Sequence, residues 1–168
     1  RCGTMPDQIT ADCVIEDERW EAAGLEQLAA RAVEATLRWH RIGGEVVVMG
    51  CDDLRISALN ADFRGKPRAT NVLSWPSVEH LPHPPGARPV MPDEDELGDI
   101  AIAYETCLAE AAAQGKPVAD HVTHLLVHAT LHLLGYDHEN DTDAEFMEAT
   151  ERAILQDLGI ADPYRETS

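Results

Sequence analysis

His128, His132 and His138 are the residues of this sequence best placed to do chemistry. His128-Ala129-Thr130-Leu131-His132 sets two imidazoles four residues apart, which puts both on one face of a helix. Such a pair can chelate one metal ion from a single helix. Gly135 follows, a residue that ends helices by taking a left-handed backbone. The chain then turns, and His138 can return to the same ion. The pattern is His-x-x-x-His-x-x-Gly-x-x-His. Three imidazoles with one open position describe a catalytic metal centre rather than a closed structural one. Imidazole suits zinc, copper, iron and nickel; availability favours one Zn2+ per chain.

His121 and His124 lie on the same helical stripe, which spans about 80° at 100° per residue. Val118, Val122, Leu125, Leu126, Ala129 and Leu133 centre roughly a quarter-turn away, so the histidines flank the buried face. His121 and His124 are expected to support the centre or to pack. His124 is close enough along the helix to touch a bound substrate. Asp137 is either an acceptor for a ligand imidazole or a turn residue. The spacing matches the metzincin protease signature except at Ala129, where those proteases carry the glutamate that acts as general base. The metal site survives that comparison; peptide hydrolysis loses its proton acceptor.

A second feature is the stretch from Arg55 to Arg68, where Arg55, Arg64, Lys66 and Arg68 stand against Asp62 for a local charge of +3. The whole chain carries a formal net charge of −18, which argues against indiscriminate phosphate binding and makes a basic island informative. Arg64 and Lys66 can hold a phosphate oxygen, the arginine through its planar fork, and Arg68 extends the island as a further substrate contact. Gly65-Lys66 is not a phosphate-binding loop, because Asn60 and Pro67 occupy positions that such a loop gives to Gly and to Ser or Thr.

The elements that must hold these groups are legible from patterning. With 168 residues, 44% hydrophobic and 26% charged, the chain suits one globular domain spanning 1–168. Its apolar runs reach only four or five residues, against about 20 for a membrane span, so no membrane association is expected. No basic stretch followed by an apolar one opens the chain, so no secretory leader is expected. Four widely spaced cysteines without a Cys-x-x-Cys pair favour the reducing cytoplasm. Strands are predicted over 11–15, 45–51, 70–75 and 97–103. Helices are predicted over 25–37, after Asp52-Asp53, over 104–114 and 118–134, and from Thr142, where Thr142-x-x-Glu145 fits a capping box. Residues 76–96 hold six of the ten prolines and an acidic run; they read as a long Pro-rich surface loop. The result is an α+β fold, a single small mixed sheet of about four strands packed against about five helices.

Three blocks, LNADFRGKPRATNVLSWP (59–76), LGDIAIA (97–103) and HLLVHATLHLLGYDH (124–138), with the ending GIADPY (159–164), carry a family resemblance. In this order and spacing the chain resembles the bacterial YbeY family of single-domain, metal-dependent endoribonucleases. It departs at Ala129, where the family usually carries Gly, and around Pro67 and Trp75. The resemblance implies a zinc ion held by His128, His132 and His138, and a functionally important Arg64 near the metal cleft. It implies a hydrolase acting on single-stranded or precursor rRNA in 16S 3′-end maturation and ribosome quality control, with ribosomal proteins or the small subunit as partners. Two other readings stay open: a metal-dependent hydrolase of peptides or small molecules, and a non-catalytic ribosome-assembly factor whose metal stabilises the fold.

Overall fold

Residues 45–51 form the longest run suited to a strand buried on both sides, and the chain places them near the middle of its sheet. The computed structural model describes residues 8–65, 69–77, 80–92 and 94–163. Within these, β1 (Ile9–Ile15), β2 (Gly44–Cys51), β3 (Val72–Pro76) and β4 (Glu96–Ala103) form one sheet in the order β1-β2-β4-β3. β1 and β4 run parallel to β2, while β3 runs antiparallel to β4, with Val72 opposite Ile102 and Ser74 opposite Ile100. The mixed four-stranded sheet is as expected.

The helices are α1 (Arg19–Ala22), α2 (Leu25–Trp39), α3 (Asp53–Arg64), α4 (Tyr104–Gln114), α5 (Val118–Leu133) and α6 (Asp141–Asp157). The one that the sequence did not predict is α1, a single turn too short to show a period. It exists to seat Trp20, which is fully buried and donates its indole N–H to the Cys51 carbonyl at 2.9 Å. The start of α6 also differs from expectation. Asn140, not Thr142, is the cap: its side chain accepts the Asp143 N–H at 2.8 Å and its amide returns a bond to the Asp143 carboxylate at 2.7 Å. The arrangement resembles a capping box built two residues earlier, but the return bond comes from the Asn140 side-chain amide rather than from its backbone N–H. Asp52 caps α3 as its type suggested, accepting the Arg55 N–H at 2.7 Å.

Alternation splits the sheet into two faces. Val46, Val48, Ile100 and Ile102 point into the main core, against Leu28, Val33 and Leu37 of α2, Val122 and Leu126 of α5, and Ile154 and Leu155 of α6. Leu73, Ala101 and Ala103 point the other way, under Ile56 of α3. α5 is more enclosed than a helix with one apolar face. It touches α2, α4, α6, β3 and β4, and residues on nearly all its sides are buried. The histidine stripe is where that enclosure opens. Gly98 brings β4 close to this helix: a Cβ there would lie 2.4 Å from the Trp75 carbonyl and 2.7 Å from Leu133 Cδ2, and its φ is +148°.

The described middle of the Pro-rich segment has no helix or strand, as its composition implied, but it is fastened to the rest of the protein. The Gly86 N–H donates to Asp143 at 2.8 Å, and the Arg88 guanidinium donates to the His40 carbonyl at 2.9 Å. No described helix is long and apolar enough to cross a membrane.

Candidate metal centre

The centre begins where α5 ends. Gly135 has φ +107°, and the Tyr136 N–H closes back on the Leu131 carbonyl at 3.1 Å, the six-to-one bond of a Schellman turn. That turn carries His138 back toward the helix. His128, His132 and His138 each offer a nitrogen, and the three lie within 4.8 Å of one another. The Nε2 atoms of His128 and His132 are 3.1 Å apart.

The partners of the other ring nitrogens decide what this approach means. His128 Nδ1 faces Glu151 Oε1 at 3.0 Å, and His132 Nδ1 faces the Tyr136 carbonyl at 3.0 Å. An ionised carboxylate and a carbonyl can only accept, so both rings carry their proton on Nδ1. Burial, then the neighbouring His128 and His138, push the His132 ring down to about 4, so it is neutral near pH 7. His132 Nε2 is then a bare lone pair, and it lies 3.1 Å from His128 Nε2, an approach that a shared cation satisfies. Two nitrogens on one tetrahedral zinc, each about 2.0–2.1 Å from it, stand roughly 3.3–3.4 Å apart. The donor set therefore fits a zinc-like ion.

Behind His128 stands Glu151 of α6, fully buried, whose Oε1 accepts from both His124 Nε2 and His128 Nδ1 at 3.0 Å. Burial alone would raise its carboxyl, but the bonds from His124 and His128 outweigh that and hold it at about 2. A carboxylate fixing the tautomer and direction of a metal-binding imidazole is a recurrent device. Sequence reasoning missed Glu151, although a signal was present. It lies four residues after Met147 and three before Ile154, a charged residue in the middle of the apolar stripe of α6.

Behind His132 the support is backbone. The Tyr136 carbonyl orients the ring, while the Tyr136 hydroxyl donates to His40 Nε2 at 2.7 Å, and His40 Nδ1 donates to the Thr36 carbonyl at 2.7 Å. Asp137, of its two expected roles, takes the turn: it accepts the Glu139 N–H at 3.2 Å. His124 lines the cleft, tied to Glu151. His121 serves a different carboxylate, donating from Nε2 to Glu110 at 2.9 Å. Lys66 and Arg68 lie outside the described residues, as does the side chain of Arg64, the last residue of α3.

The cleft has a volume of about 330 Å³. The α5 histidines form one wall; Asn71, Val72 and Ser74 form the other. Ala129 is at its edge, so the helix offers no carboxylate at the position after His128.

Fold and site together define an α+β protein with a candidate three-histidine, single-ion centre in an open cleft. The chain belongs to the Endoribonuclease YbeY family, whose model matches residues 12–159. Endoribonuclease YbeY of Paracoccus denitrificans is 60% identical over 171 residues, covering 96% of this chain and 98% of that protein. The Endoribonuclease YbeY proteins of Cereibacter sphaeroides and Dinoroseobacter shibae are 57% and 53% identical, covering 91% and 95% of this chain and 97% and 92% of their own lengths. A Thermotoga maritima protein solved in solution, 22% identical, shares the fold with a TM-score of 0.55 over 93% of this chain and 99% of that one.

Proposed function

We propose that this chain is a zinc-dependent endoribonuclease that cuts single-stranded precursor rRNA, acting in 16S 3′-end maturation and ribosome quality control in the cytoplasm. The observation that carries the reading is the pair of Nε2 atoms 3.1 Å apart in an open cleft, with His138 beside them. His128, His132 and His138 hold the ion, which when bound polarises a phosphoryl oxygen and makes water a better nucleophile. Arg64 neutralises charge building on the phosphate in flight. Lys66 and Arg68 draw the RNA backbone to a protein whose net charge of −18 otherwise repels polyanions, and His124 contacts the strand in the cleft. The same acidic surface suits basic ribosomal proteins as partners.

Glu151 orients His128 rather than taking a substrate proton, since it is fully buried and accepts from two imidazoles. The peptide-hydrolase alternative lacks a base at Ala129. The test is RNA cleavage by wild type and His132→Ala, purified in parallel, with metal content measured on both. Cleavage by wild type alone, with metal lost from the variant, is expected. Equal cleavage by both, or full metal content in the variant, contradicts the reading.

A further inference from the structure

We propose that Asn71 and Ser74 form a nucleotide-positioning wall across the cleft from the metal helix. The Asn71 amide and the Ser74 hydroxyl hydrogen-bond a neutral oxygen, a ribose 2′-hydroxyl or a base carbonyl, of the nucleotide beside the scissile phosphate. This rests on the endoribonuclease reading above.

The wall is the outer edge of the sheet. β3 ends the strand order, and the Ala103 N–H donates to the Asn71 carbonyl at 2.9 Å. In an antiparallel ladder the bonding residues alternate, so Asn71 and Leu73 bond toward β4 while Val72 and Ser74 turn their backbone groups outward. The Asn71 side chain folds over that edge, its Oδ1 taking the Val72 N–H at 2.7 Å.

Asn71 is held from behind with unusual provision. Its Nδ2 donates to Glu110, with the two carboxylate oxygens at 3.0 and 3.3 Å, and Glu110 accepts from His121, whose side chain is 4% exposed. An amide NH2 carries two hydrogens that diverge, so one carboxylate engages one of them. The second remains for the cleft that Asn71 lines. A buried imidazole that steadies a partly exposed carboxylate, and through it an amide, fixes a direction. The Ser74 hydroxyl, on the same wall, has no hydrogen-bond partner among the described residues. Both groups are neutral, and the Glu110 charge behind Asn71 disfavours an anion at that point. The wall therefore suits an uncharged oxygen and leaves phosphate charge to other groups.

The test measures RNA affinity by fluorescence anisotropy, and KM and kcat by cleavage, for wild type, Asn71→Ala, Ser74→Ala and Ser74→Thr. Three oligonucleotides are used: all-RNA, one 2′-deoxy at the nucleotide beside the cut, and one with that base changed. Asn71→Ala is expected to weaken binding and raise KM about five- to tenfold, the size of one neutral hydrogen bond, with metal content unchanged and kcat within about twofold. Ser74→Ala follows at a few-fold, and Ser74→Thr, which keeps the hydroxyl, matches wild type. A 2′-deoxy penalty that disappears in Asn71→Ala identifies the ribose as partner; a base penalty that disappears identifies the base. Affinity and KM unchanged in both alanine variants, or both penalties persisting in full, overturns the wall. If wild type cuts no RNA, the endoribonuclease reading falls, and the binding arm still decides: equal RNA affinity of wild type and the alanine variants overturns the wall as well.

Discussion

Glu151 and Glu110 stand behind opposite walls of one cleft, with side chains 0% and 33% exposed. Each accepts from a histidine of α5, yet their second partners differ: His128 of the candidate metal set for Glu151, the cleft-lining Asn71 for Glu110. The difference teaches how one helix serves two tasks. Toward its C-terminal end the stripe is backed by a fully desolvated carboxylate, where charge is strong and geometry is stiff. Nearer the start it is backed by a carboxylate that water still reaches, which steadies an uncharged group.

The sharpest way to break this comparison is to neutralise each carboxylate in turn. Glu151→Gln removes the carboxylate charge that faces the N–H groups of His124 and His128 and is expected to weaken metal binding about 10–100-fold. It is also expected to destabilise the fold by about 3 kcal/mol, as loss of one member of a buried pair does. Glu110→Gln is expected to leave metal affinity within about twofold, because its histidine is not in the metal set, and to weaken RNA binding instead. Metal titration and urea unfolding of both variants check this. Equal metal loss in the two would erase the distinction.

Acid probes the Glu151 side of the comparison. The His132 ring sits at about 4 in the folded chain against 6.5, so the unfolded chain binds its proton first. The stability this gives is complete above pH 6.5 and is lost as pH falls toward 4. Glu151 sits at about 2 against 4.5, and its contribution is complete above pH 4.5 and lost as pH falls toward 2. Metal-free wild type is thus expected to weaken in two successive windows, by on the order of 3 kcal/mol in each. Glu151→Gln should keep the upper window and lose the lower one. Unfolding midpoints at pH 7, 4.5 and 3 separate the two, and an unchanged drop below pH 4.5 in the variant would contradict the assignment to Glu151.

These walls also show what patterning can and cannot reach. His128, His132 and Gly135 were legible because helical period and a helix-ending residue are local, and the strands because their apolar runs are. Glu151 was half legible, a charge inside an apolar stripe, but its partner His128 is 23 residues away in another helix. Asn71 and Glu110 lie 39 residues apart and Tyr136 and His40 96 apart; no period links them, and only the folded chain brings them together. The Asn140 cap was misread because Thr142 and Glu145 satisfy the same spacing rule, and the choice is made by where the preceding turn releases the chain.

The smallest expected effect distinguishes support by side chain from support by backbone. His128 is oriented by a carboxylate that substitution removes; His132 is oriented by the Tyr136 carbonyl, which every residue at 136 retains. Tyr136→Phe deletes only the hydroxyl that meets His40 Nε2. It keeps the ring stacked on Phe146, at 5.6 Å between centroids and 23° between planes. His40 is 3% exposed, and burial already pushes its ring down, so the lost bond leaves a buried acceptor without its donor. That costs about 1–2 kcal/mol, roughly 2–8 °C in Tm for a chain of this size. Metal affinity should fall less than about threefold, because the carbonyl that directs His132 stays in place. A tenfold loss in Tyr136→Phe would mean that the His40 bond, rather than the turn at Gly135, sets the position of that carbonyl.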